Sequence, residues 1–108
     1  MGIDRQKLWS TVVSNYATFQ KAAPEGYGAI VEVTLAGRAG PMVVHRAETF
    51  SNPDLPWTLL SVLSKEGSDV PLEADTRVLV HDDHVQGIEV RYMRTHEPPI
   101  GFTYGELD

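Results

Sequence analysis

The stretch Thr76–Met93, TRVLVHDDHVQGIEVRYM, constrains the fold more than any other part of the chain. Apolar residues alternate on both sides of a polar knot, His81-Asp82-Asp83-His84, a pattern that reads as strand, turn, strand. The length of the turn decides which side chains share a face. A two-residue loop at Asp82-Asp83 sets His81 opposite His84 and mixes Val78 and Val80 with Glu89, so neither face is cleanly apolar. A three-residue loop, Asp82-Asp83-His84, pairs His81 with Val85 instead. It gathers Val78, Val80, Ile88, Val90 and Tyr92 on one face, and Leu79, His81, Val85, Glu89 and Arg91 on the other. This register is the better patterned. It predicts a hairpin whose last loop residue, His84, takes a positive φ.

Upstream, Leu8, Trp9, Val12, Val13, Tyr16 and Phe19 recur at spacings of three and four, which predicts an amphipathic helix over residues 3–21. Asp4 suits the first turn and Lys21 the last, and Pro24 prevents continuation. In the following AIVEVTLA, Val31, Val33 and Leu35 face one way and Ile30, Glu32 and Thr34 the other. Gly37 to Gly40 turns the chain and Pro41 opens PMVVHRAETF, completing a hairpin. Because this glycine-rich turn leads into a strand rather than a helix N-terminus, it makes a poor phosphate cradle.

Ser51–Pro56 is a connector. The run WTLLSVLSKEG fits two elements: a short helix with Leu55, Leu59 and Leu63 in line and Gly67 as its cap, or a strand buried on both faces. Its strand-rich surroundings favour the strand. Residues 68–71 and 95–99 read as loops, and IGFTYGELD as a final edge strand that frays over residues 106–108. The sum is an α+β domain over residues 1–108, with one N-terminal amphipathic helix packed on a mostly antiparallel five- or six-stranded sheet.

At 108 residues with 42% hydrophobic and 22% charged content, the chain has the makeup of one soluble domain. No apolar run approaches the roughly 20 residues that span a bilayer. The N-terminus has neither a signal-peptide layout nor a myristoylation pattern, so a cytoplasmic location is the default expectation. Zero Cys removes disulfides and thiolate chemistry. The net charge of −6 is unevenly spread: three basic residues against Asp4 give residues 1–24 a net +2, while six basic against 14 acidic residues give the remainder −8. A strand region this acidic argues against nucleic acid, which needs a positive surface. Its sharper meaning is an acidic face for a basic partner; its plainer one is solubility.

Two clusters are candidate sites. The knot offers His81 and His84 as metal ligands beside two carboxylates, but a metal needs three or four ligands at one point. His45 or His96 would have to complete the set, and Asp is also an ordinary turn residue. No cofactor is expected. There is no nucleophile elbow or triad spacing, and adjacent turn carboxylates splay into solvent, so an enzyme is the minority reading. The second cluster is the sheet face turned away from the helix. There Leu79, His81, Val85, Glu89 and Arg91, with Trp57 at a strand end, form a mixed polar and apolar patch of the kind found in transient interfaces.

The leading expectation is therefore a non-catalytic protein-interaction module acting through its sheet face, either as a neutralising or accessory partner of another protein or as a homodimer. A small-ligand-binding dimer lined by Tyr27, Trp57 and Tyr92 is the alternative. A metal-dependent enzyme centred on His81–His84 comes third.

Overall fold

In a computed structural model of the chain, residues 5–52, 54–64, 73–94 and 101–107 are described, with side chains at all of these except 63–64 and 73–75. The loops expected at 68–71 and 95–99, and His96, lie outside the described residues. So does the helix start expected at residue 3.

Helix α1 spans Arg5–Lys21 and buries Trp9, Val12 and Tyr16, one stripe at the helical repeat. Phe19, expected on the same face, stays 37% exposed, although its ring lies 5.3 Å from that of Tyr92. Among the described residues six strands follow: β1 (Tyr27–Leu35), β2 (Met42–Phe50), β3 (Trp57–Ser64), β4 (Glu73–His81), β5 (Val85–Arg94) and β6 (Thr103–Leu107). The chain thus has the expected α+β layout, and the ambiguous run from Trp57 is a strand. Glu106 and Leu107, expected to fray, belong to β6.

The hydrogen-bonded order is β4-β3-β2-β1-β5, antiparallel throughout, while β6 runs parallel to β2 over Arg46–Phe50. β1 and β2 form the expected hairpin, turned at Gly37, whose φ of 80° is one that other residues rarely adopt. Their pairing is short, Val31–Val33 against Met42–Val44, because the second half of β2 turns away to pair β6.

One expectation fails outright. β4 and β5 do not form a hairpin: β4 pairs with β3, β5 pairs with β1, and the two lie at opposite ends of the sheet. They are joined by a single 3₁₀ turn, Asp82–His84, flanked by extended backbone at His81 and Val85. The positive φ expected at His84 is also absent, since among the described residues only glycines have positive φ. This turn fixes the shape of the sheet. Five strands laid flat put their edges about 19 Å apart, whereas the four Cα steps from His81 to Val85 reach at most about 14 Å. The sheet must therefore curl until its two edges meet at the turn.

The inside of the curl is the core. Val31, Val33 and Leu35 from β1, Val44 and Ala47 from β2, Leu60 from β3 and Val80 from β4 meet Trp9, Val12, Tyr16 and Phe102 there. The helix packs chiefly on β5 and β1, with lesser contacts to β6 and β2. Val78, Ile88, Val90 and Tyr92 pack against this core, as their parity predicts. Val85 corrects the face assignment. A register shift between Thr34 and Leu35 sets Val85 opposite buried Leu35, so it faces the core rather than the outside.

Candidate functional site

The polar knot closes the curl, and its main chain and the Asp82 carboxylate are tied to neighbouring elements. Asp82 N–H donates to the Pro56 carbonyl at 2.9 Å, and the His84 carbonyl accepts from Ala36 N–H at 2.8 Å, so the turn bridges the start of β3 and the end of β1. The Asp82 carboxylate takes a hydrogen bond from the buried Thr58 hydroxyl at 2.8 Å and pairs with Arg5 Nε at 3.3 Å. His81 Nδ1 accepts from Asp83 N–H at 3.1 Å, which commits the lone pair that would bind a metal there. The Asp83 side chain is 90% exposed. The His81 and His84 rings lie 5.8 Å apart, but among the described residues no group of three His, Cys, Asp or Glu converges.

Arg5 gave no signal in the sequence as a site residue. Its only oddity is a cation in the first turn of a helix, where the helix dipole disfavours one.

On the outside of the curl, the β3–β4 half sets three cross-strand pairs side by side, Trp57 with His81, Leu59 with Leu79, and Ser61 with Arg77, of which Ser61 is buried. Trp57 is 38% exposed and Leu79 52%, and the Trp57 and His81 rings meet edge to face at 5.2 Å. Three of the six expected interaction residues, Trp57, Leu79 and His81, therefore share one patch.

Beside this patch a bulge in β2 adds a residue between inward Val44 and inward Ala47, which leaves His45 and Arg46 consecutive on the outer side. Arg46 is held by Glu48 at 3.4 Å and by the Thr103 hydroxyl at 2.9 Å, and its guanidinium crosses Gly105, where a Cβ would come within 2.5 Å of Nη2. Nε2 of His45 is buried and has no hydrogen-bond partner among the described residues. Burial, then the charges of Arg46 and Arg77, pull its pKa below the usual histidine range, which favours the neutral ring.

Glu89 and Arg91 lie on the outer side of β5, at the far end of the strand order. Arg91 is engaged: its Nε pairs with the carboxylate of Glu32, which is 8% exposed. Glu32 also stands directly opposite Glu89, a like-charge pair that Arg91 offsets from the diagonal position. Arg91→Ala is expected to cost about 1–3 kcal/mol, between the ranges for an exposed and a fully buried pair, because Arg91 is half exposed. Adding Glu32→Gln should recover part of that loss in urea unfolding. A stability unchanged by Arg91→Ala would show that the pair is not formed.

The three residues expected to line a ligand space do not converge. Trp57 is on the outer side of β3. Tyr92 points inward, its hydroxyl donating to the Phe19 carbonyl at 3.0 Å. Tyr27 sits at the start of β1 with the Arg94 guanidinium 5.8 Å from its ring centroid. No described helix is long and apolar enough to cross a membrane. Comparisons with protein-family models, with curated proteins and with solved structures give no significant match to this chain.

Proposed function

We propose that this chain is a non-catalytic protein-interaction module that binds through the outer face of its β3–β4 half. One observation carries the reading: Trp57, Leu59 and Leu79 lie side by side on a face opposite the helix, with Leu79 the most exposed large hydrophobic residue among those described. Exposed apolar groups arranged together mark contact surfaces more often than isolated ones do. An aromatic anchor beside aliphatic neighbours is the usual energetic centre of an interface. Arg77 and His81 supply a polar rim on the same strand. Glu89 and Arg91 contribute little to this reading, since Arg91 serves Glu32.

The test is site-specific photocrosslinking in cells that make the protein at its native level. A benzophenone amino acid at Leu79 is expected to trap a defined protein adduct. The same group at Glu25, exposed in the turn after α1, serves as the control. Trp57→Ser should diminish the adduct at position 79. Equal or absent adducts at the two positions would sink the proposal.

A further inference from the structure

We infer that β5 joins a second copy of the chain edge to edge, by antiparallel pairing about a two-fold axis at Val90. This contact lies at the other end of the strand order from the β3–β4 face proposed above, and goes beyond that reading. β5 is an edge strand, and among the described residues it pairs with β1 alone. Its ten residues therefore carry a row of backbone donors and acceptors on the open side, which attracts another strand unless something covers it. The strand, VQGIEVRYMR, contains neither proline nor lysine, two residues that commonly blunt such an edge.

Side chains on both faces of β5 point to what covers it. On the outer face, Glu89 is exposed and stands opposite Glu32, whose counter-ion is Arg91. Glu89 itself forms no ion pair among the described residues. On the inner face, Ile88, Val90 and Tyr92 are only half-buried, whereas their partners on β1, Val33, Val31 and Ala29, are buried. Exposed Phe19 adjoins this row, its ring against that of Tyr92.

An antiparallel second copy answers both faces. An axis perpendicular to the sheet at Val90 sets Glu89 of each copy directly opposite Arg91 of the other. Each Arg91 then lies between its own Glu32 and the other copy's Glu89. On the inner face the same axis sets Ile88 opposite Tyr92 and Val90 opposite its own copy, so the apolar row continues across the contact. Moving the axis one residue, to Glu89 or to Arg91, would oppose two carboxylates or two guanidinium groups. The closing turn agrees with this register. It holds the Val85 end of β5, which leaves residues 86–94 beyond it, with Val90 at their centre. A two-fold pairing is also the commonest closed arrangement for a soluble protein. An edge pairing of this length buries less than about 1,200 Å², which fits a reversible dimer rather than a permanent one.

Sedimentation equilibrium of the full chain, from about 1 to several hundred micromolar, tests the inference. The wild-type chain should show a concentration-dependent dimer. Glu89→Lys should weaken it by about tenfold or more, because each of two symmetric pairs turns from attraction to repulsion. The same substitution sets a cation opposite Glu32 in place of a like charge, so the urea midpoint of the monomer should not fall. Adding Arg91→Glu to Glu89→Lys should restore the dimer to within about threefold, a rescue that a merely structural role for either residue would not give. A chain that stays monomeric throughout, or a dimer indifferent to Glu89→Lys, overturns the pairing. So does a double variant that folds with the wild-type urea midpoint yet stays as weakly associated as Glu89→Lys alone.

Discussion

Trp9→Ala is expected to cost about 3–5 kcal/mol, the range for truncating a large aromatic residue in a core that cannot collapse around it. Trp9 is 1% exposed, its ring stacks on Phe102 at 6.1 Å, and the Tyr16 ring lies 6.4 Å from that of Phe102. These three rings connect the helix to the segment that leads into β6. Removing one leaves a void bounded by a helix and a sheet, both too stiff to fill it. Burial also pushes the pKa of the Tyr16 hydroxyl upward, with a hydrogen bond to the Gly101 main chain acting in the opposite sense, so the ring is held neutral within this cluster.

Domains of this size are stable by about 5–15 kcal/mol, so the loss is a large fraction of the total. Urea unfolding followed by circular dichroism should show the midpoint falling by roughly 2 M. Trp9→Phe, which keeps a ring in place, should cost less than half as much. A loss below about 1 kcal/mol for Trp9→Ala would mean that the helix contributes little to the core.

The sequence disclosed faces better than partners. Parity along a strand is local, so Val78, Val80, Ile88, Val90 and Tyr92 could be assigned to the core side without knowing what each strand pairs with. Pairing is a long-range choice. The three residues between β4 and β5 looked like a hairpin loop, yet each strand has its full ladder with another neighbour, β3 for one and β1 for the other. Nothing within Thr76–Met93 encodes that preference. Val85 departs from the alternation for a related reason: Gln86 is the extra residue of a bulge between the Thr34–Gly87 and Leu35–Val85 pairs, which inverts parity and shows only once β1 is set in register.

Of the candidate site, Trp57, Leu79 and His81 were each legible, but the cross-strand register made them neighbours. The same register separated them from Glu89 and Arg91. Arg91 looked like an interface charge because its buried partner, Glu32, lies far off in sequence and alternates like an outward residue.

Arg5→Ala is expected to cost about 2–4 kcal/mol and to loosen the closing turn. A guanidinium has five N–H donors, and those of Arg5 meet five acceptors. Nη1 donates to the Leu55 and Trp57 carbonyls at 2.6 and 3.2 Å, Nη2 to those of Phe50 and Asn52 at 3.5 and 3.3 Å, and Nε faces Asp82 at 3.3 Å. One side chain on the helix thus gathers the end of β2, the β2–β3 connector, the start of β3 and the closing turn. Its removal takes one donor from each of four carbonyls and leaves the Asp82 carboxylate, among the described residues, with the Thr58 hydroxyl alone.

Several of these contacts are exposed and water can replace them, which keeps the estimate below the sum of five charged hydrogen bonds. Lysine offers three donors from a point charge, so Arg5→Lys should recover only a minor part of the loss. Amide hydrogen exchange should localise the effect, with protection at Asp82 and Ala36 falling more than at the centre of β1. Uniform loss across the sheet would instead make Arg5 a general contributor to stability rather than the anchor of the turn that holds the two edges of the sheet together.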